Sequence, residues 1–143
     1  MTTLKKLLVE KKFYFVRTGT TIFDVAKYMD EYNIGAVPVL DDERKLKGIF
    51  SERDLMRRCI AKEIDMKNTK VDEVMSRHVI VIESHDTPEY CMQILKQENI
   101  RHMPVIEDNK LIGIISMRDL LLYDMKLKEE KIEMLNTYIQ YYG

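Results

Sequence analysis

Two segments of this chain occur twice, in the same order and at nearly the same distance. Ile34-Gly35-Ala36-Val37-Pro38-Val39-Leu40 returns as Ile100-Arg101-His102-Met103-Pro104-Val105-Ile106, an offset of 66. Gly48-Ile49-Phe50-Ser51-Glu52-Arg53-Asp54-Leu55 returns as Gly113-Ile114-Ile115-Ser116-Met117-Arg118-Asp119-Leu120, an offset of 65. One residue fewer in the turn between the two segments accounts for the difference. A repeat of this kind restricts the fold strongly, because each copy has to be one supersecondary unit of the same shape.

Each copy carries the same coarse pattern. Phe13–Val16 and Val79–Ile82 are rich in β-branched and aromatic residues and are expected as short first strands. Helices are expected to start near Thr21 and near Thr87-Pro88, where a Thr cap, in the second case followed by Pro, is a good start signal. Val25, Ala26 and Met29, and in the second copy Cys91, Ile94 and Leu95, recur close to the helical period. Two strands follow, Ala36–Leu40 with Leu46–Phe50 and Met103–Ile106 with Leu111–Ile115, and a last helix begins at Ser51 or Ser116. The order is β-α-β-β-α, twice.

Neither copy can cover both faces of a three-stranded sheet with two helices. Packing sheet to sheet, with one shared core and a pseudo-two-fold axis, is the expected solution. The expected organisation is repeat 1 over 11–62, a polar connection over 63–73, repeat 2 over 74–124 and a C-terminal helical extension over 125–143. Met1–Lys12 reads as a short amphipathic helix with Leu4, Leu7 and Leu8 on one side. Within the connection, Val71–Met75 reads as one helical turn leading into repeat 2.

The composition excludes several classes. Hydrophobic residues make up 45% and charged residues 33% of the 143, a globular balance, and the net charge of −1 gives no bulk basicity for nucleic acid. No apolar run approaches the roughly 20 residues of a membrane span, and no signal-peptide core stands at the N-terminus. Cys59 and Cys91 lie in apolar-periodic stretches and are expected as buried free thiols in a cytoplasmic protein. Neither has an adjacent His, and His78, His85 and His102 stand at no recognised zinc spacing, so catalytic and metal-centred readings find no support.

Three motifs together carry a resemblance. Val74-Met75-Ser76 ahead of a hydrophobic strand, the Pro-Val strand (Ala36–Val39, His102–Val105), and Gly-x-x-Ser-x-x-Asp in both copies resemble the signatures of cystathionine-β-synthase (CBS) domains. The match runs from about Lys11 to Tyr123 and is similar to a free-standing CBS pair. The fold so implied is α+β, two CBS repeats packed sheet to sheet, with an N-terminal helix and an extended C-terminal helix. The function so implied is regulatory and non-enzymatic: binding of an adenosine nucleotide (AMP, ADP or ATP, with S-adenosylmethionine or NAD as further candidates) in clefts between the repeats. A structural or interaction module without a nucleotide is the alternative.

Ser51-Glu52-Arg53-Asp54 and Ser116-Met117-Arg118-Asp119 have a purely structural meaning, because Ser with an acid three residues on is a capping box. The same geometry holds a carboxylate where two ribose hydroxyls can donate to it, beside backbone N–H groups that suit a phosphate. The resemblance implies that Asp54 and Asp119 contact ribose. It also implies that one cleft joins Ser51, Arg53 and Asp54 to Arg101, His102, Met103 and Pro104. The other joins Ser116, Arg118 and Asp119 to Gly35, Ala36 and Val37, with Arg17 and Thr18 at the first strand end. Arg101 offers a forked phosphate contact and His102 a donor, so the first cleft is expected to favour the phosphorylated nucleoside. Beyond Asp119 the chain carries Leu120, Leu121, Leu127 and Tyr138, and Ile132, Leu135, Ile139 and Tyr142 form an apolar stripe, expected to pack on the N-terminal helix or on a second subunit. A homodimer and an unidentified effector protein are the expected partners, with no nucleic acid and no membrane.

Overall fold

A computed structural model describes residues 2–142, with side chains through residue 140. Met1, Gly143 and the side chain of Tyr142, each part of an expectation above, lie outside the described residues. The elements in chain order are α1 (Leu4–Leu8), β1 (Val16–Arg17), α2 (Ile22–Glu31), β2 (Ala36–Leu40), β3 (Leu46–Ser51) and α3 (Glu52–Asp54). The second half holds β4 (Ile82–Glu83), α4 (Pro88–Gln97), β5 (His102–Glu107), β6 (Lys110–Ser116) and α5 (Met117–Tyr142). Two three-stranded sheets result, β1-β2-β3 and β4-β5-β6, each with a parallel first pair and an antiparallel second pair.

The helix starts follow from the side chains that the sequence supplies. Thr21 accepts a hydrogen bond from the Asp24 N–H and Thr87 from the Tyr90 N–H, each at 3.2 Å, which satisfies one of the free donors of a helix N-terminus. After α2 and α4 the chain reverses through Asn33 (φ 52°) and Asn99 (φ 54°), the residue type that best tolerates the left-handed region after glycine. Asp108 and Asn109, both at positive φ, make a tight turn between β5 and β6, whereas Asp41 organises a longer one by accepting from the Glu43 and Lys45 N–H groups. Between the equivalent pairs Leu40–Leu46 and Ile106–Leu111 the chain runs through five and four residues, and this one-residue difference is the change of offset seen in the repeat.

The first strands lie later than their composition predicts. They are Val16–Arg17 and Ile82–Glu83, not Phe13–Val16 and Val79–Ile82, because only two residues pair with the end of the central strand (Val16 with Val39, Arg17 with Leu40). The aromatic residues ahead of β1 stack instead: Tyr14 lies 4.9 Å from Tyr32 between ring centroids and Phe13 lies 5.6 Å from Phe15. Residue preference for strands gave way to tertiary pairing. Past α3 the backbone widens over Leu55–Ile60, where the Ala61 N–H reaches back five residues to the Met56 carbonyl.

The buried apolar side chains form two clusters, one per half, in place of a single shared core. Each sheet closes a core against its own helices, with Val37, Val39 and Phe50 in one and Met103, Val105 and Ile115 in the other. The segment ahead of each half completes the core of the other half. Leu4 and Leu8 of α1 belong to the second-half core, and Val71, Val74 and Met75 to the first. Matching hydrogen bonds fix the crossing: the Leu4 N–H donates to the Asp86 carbonyl at 2.9 Å and the Val71 N–H to the Thr20 carbonyl at 2.8 Å. Gly48 lies under Met75 as Gly113 lies under Leu8, so the exchange obeys the pseudo-two-fold axis.

The last helix and the C-terminal extension are one continuous element, α5. Its buried contact ends near Leu120; beyond it Ile132 is 58%, Leu135 53% and Ile139 61% exposed. Packing of this stripe on the N-terminal helix is not what the structure shows, since α1 is committed to the second-half core.

A candidate ligand cleft between the sheets

The site begins with the two Ser-x-x-Asp sequences, which both form closed capping boxes. The Ser51 N–H donates to Asp54 Oδ2 at 3.0 Å while the Asp54 N–H donates to Ser51 Oγ at 3.1 Å. The corresponding distances for Ser116 and Asp119 are 2.8 and 3.0 Å. The helix start is tied to the start of the central strand in each half, by Glu52 N–H to the Gly35 carbonyl and Met117 N–H to the Arg101 carbonyl, both at 2.9 Å. Each carboxylate is therefore fixed beside a strand end by local chemistry alone.

The strand faces turned away from the helices look onto each other across a cleft of about 880 Å³. Ala36 and Pro38 line it from one sheet, and His102, Ile114 and Ser116 from the other. A volume of this size falls within the usual range for small-molecule sites, roughly 300–1,000 Å³. Lys11, Lys12, Arg101 and Arg118 contribute cations, against Glu52 and Asp119. A smaller groove of about 350 Å³ runs between α4 and α5 and converges on no comparable set of polar groups.

Asp119 is the electrostatic centre of the cleft. Burial pushes its carboxyl up, but the Lys11 ammonium, the Ser116 N–H and the Ser116 hydroxyl outweigh burial and hold it below its ordinary value. Lys11 Nζ donates to Asp119 Oδ2 and to the Ile114 carbonyl, the latter at 2.9 Å. His102 is shifted the other way: burial first, then the Lys11 charge, lowers its pKa, against the pull of Asp119 and Glu52. Its Nε2 faces Gly35, where a Cβ would stand 3.7 Å away, at ordinary contact distance.

Of the residues singled out in the sequence, Gly35, Ala36, Arg101, His102, Ser116, Arg118 and Asp119 line this one cleft. Arg101 and His102 thus sit with Asp119, not apart from it with Asp54, because β5 begins where its antiparallel partner β6 ends and His102 is directly opposite Ser116. Ser51, Arg53 and Asp54 do not line it; Asp54 pairs with Arg58 on its own helix, Nε to Oδ1 at 3.6 Å. Val37 and Met103 turn their side chains into the two cores, and Pro104 is buried beside them. Arg17 and Thr18 lie at the far end of β2, where the Thr18 N–H meets the Leu40 carbonyl.

Sequence reading missed Lys11, Lys12, Phe13, Tyr14 and Glu52, all of which line the cleft. A signal existed: Leu4 and Leu8 align with Val71 and Met75 at an offset of 67, and extending the repeat that far places Lys11 on the strap entering the first strand. Cys59 and Cys91 are buried, and burial raises both thiols, Cys91 to about 12, which removes them as nucleophiles. Among the described residues no group of three or more His, Cys, Asp or Glu is placed to hold a metal ion, and no helix is long and apolar enough to cross a membrane.

Two β-α-β-β-α repeats, exchanging their leading segments and facing each other across a cleft, define a paired-domain module of the CBS type. The chain belongs to the CBS-domain family, whose profile matches residues 4–61 and 71–126. It is 33% identical over 127 residues to the mitochondrial CBS domain-containing protein CBSX3 of Arabidopsis thaliana, covering 86% of this chain and 62% of that protein. A crystallised CBS-domain containing protein of Agrobacterium tumefaciens superposes with a TM-score of 0.80 at 30% identity, covering 86% of this chain and 99% of that one. Two more distant neighbours share the fold at 24% identity and a TM-score of 0.75. They are CBSX2, solved in complex with AMP, and the CBS pair of MJ0100, solved with 5′-methylthioadenosine and S-adenosyl-L-methionine.

Proposed function

We propose that this chain is a regulatory module that binds an adenosine-containing nucleotide, of the AMP, ADP or ATP class, in the cleft around Asp119. The observation that carries the reading is a carboxylate fixed by a capping box at the start of α5, in a cleft lined by four cations. Asp119 accepts the ribose hydroxyls, Arg101 and Arg118 face the phosphate, and the base lies against Ala36, Pro38 and Ile34. Charge-assisted hydrogen bonds contribute about 1.5–3 kcal/mol each, and micromolar binding needs about 8 kcal/mol in total, so two ribose and two phosphate contacts with a buried base suffice. Adenosine ligands in the two distant neighbours are consistent with this chemistry. Because the ligand would bridge both halves, it would favour one relative arrangement of them, and that shift in population is the signal. The response passes to an effector chain.

Thermal unfolding with AMP, ADP, ATP, S-adenosylmethionine and NAD tests the reading. A ligand at a hundred times its Kd adds about 2.7 kcal/mol of stability. No shift with any of them at millimolar concentration would leave the interaction-only reading, for which the exposed stripe of α5 is the specific observation. That stripe is also the surface on which we place a homodimer, to be tested by sedimentation of the chain with and without residues 125–143.

A further inference from the structure

The Asp119 carboxylate is already engaged. Lys11, on the strap that leads from α1 into β1, donates both to the Ile114 carbonyl and to Asp119 Oδ2. The Ser116 N–H reaches the same oxygen at 2.8 Å. A ribose diol binding across both carboxylate oxygens therefore has to displace the Lys11 ammonium from Oδ2. The strap is anchored upstream, with Leu4 and Leu8 buried in the second-half core, and this anchor keeps Lys11 close to the cleft that it lines. Its flexible four-carbon stem lets the ammonium swing while the backbone stays.

We infer that Lys11 sets the ligand class of this cleft: it guards Asp119 when the cleft is empty and turns to the phosphate when a nucleotide binds. An uncharged nucleoside would expel the ammonium from its carboxylate and offer nothing in return. A phosphomonoester, carrying close to two negative charges at pH 7, offers it a new anionic partner beside Lys12, Arg101 and Arg118. The cleft then rejects adenosine and thioether-bearing adenosines and accepts AMP. The inference rests on the nucleotide reading above and adds the residue that discriminates within it.

Calorimetric titration of the full chain with AMP and with adenosine tests it, using wild type, Lys11→Met, which keeps the stem without the charge, and Lys11→Arg, which keeps the charge. Wild type is expected to prefer AMP. Lys11→Met should tighten adenosine and weaken AMP, narrowing the ratio of the two dissociation constants by on the order of tenfold or more. Lys11→Arg should restore most of the preference. A purely structural tie would move both ligands together, so an unchanged ratio in Lys11→Met overturns the inference while leaving nucleotide binding intact. Wild type that binds neither ligand overturns the nucleotide reading and the inference with it.

Discussion

The two capping boxes share one local design and differ in what surrounds them. Asp54 and Asp119 are held by Ser backbone and side chain at distances that agree within 0.2 Å. Asp54 then turns to Arg58 one helical turn on, along a helix that widens immediately afterwards. Asp119 instead faces a cleft, and the cation it meets, Lys11, comes from a distant strap. Repeated sequence thus reproduces the carboxylate, and the unrepeated neighbours decide what it is free to do. A capping box identifies a helix start; what distinguishes Asp119 from Asp54 is its non-local partner.

The largest expected effect breaks the comparison directly. Asp119→Ala and Asp54→Ala each remove the carboxylate half of the box and leave the Ser hydroxyl cap in place, so each should lose a similar stability, about 1.5–3 kcal/mol for a hydrogen bond to a charged group. Their effects on ligand affinity should diverge. Loss of two charge-assisted bonds to ribose predicts at least about a hundredfold weaker AMP binding for Asp119→Ala, with a far smaller change for Asp54→Ala. Titration of both variants with AMP decides the matter, and equal losses would show that the two halves are functionally alike.

Next in size is the exchange of leading segments, which the two glycines under it probe. A Cβ at Gly48 would come within 2.7 Å of both Met75 Sδ and the Ser76 carbonyl, and backbone cannot yield as a side-chain tip does. At Gly113 the nearest atom is Leu8 Cδ2 at 3.2 Å, at the end of a rotatable side chain. Gly48→Ala should therefore destabilise by about 1–3 kcal/mol, as overpacking does. Gly113→Ala gains the lower unfolded-state entropy of alanine and should stay within about 1 kcal/mol of wild type. Urea denaturation of the two variants measures the difference, and matched losses would mean that both crossings are equally rigid.

What the sequence discloses here tracks how local the cause is. Helix starts at Thr21 and Thr87-Pro88, the Ser-x-x-Asp boxes and the paired turns are set by neighbours within a few residues, and all are readable. The first strands are not, because two residues pair with a strand more than twenty positions away, and ahead of β1 Tyr14 packs on Tyr28 and Tyr32 at the end of α2. The crossing of α1 onto the second half is disclosed only by aligning Leu4 and Leu8 with Val71 and Met75, a similarity carried by apolar character without identity. Lys11 depends on that crossing, so it is hidden twice. The grouping of Arg101 and His102 with Asp119 required the register of β5 on β6, in which His102 is opposite Ser116.

The smallest effect sharpens the comparison at the position where Ala36 in one half answers His102 in the other. Burial lowers the His102 pKa, with Lys11 and Arg101 acting the same way and Asp119 and Glu52 opposing them. A histidine whose folded pKa lies below its unfolded value binds fewer protons folded than unfolded, so stability falls as pH drops below the unfolded value of about 6.5. The loss continues until pH reaches the folded pKa. Ala36 contributes no such dependence, so at this pair of positions the titrating group is His102 alone. His102→Gln keeps a polar, uncharged side chain in the cleft and should flatten the stability profile between pH 7 and 5 relative to wild type, with little change at pH 8. Chemical denaturation across that range measures it. An unchanged slope would mean that the neighbouring carboxylates of Asp119 and Glu52 offset the burial in full, and that the charge state of the cleft is set by Lys11 and the arginines alone.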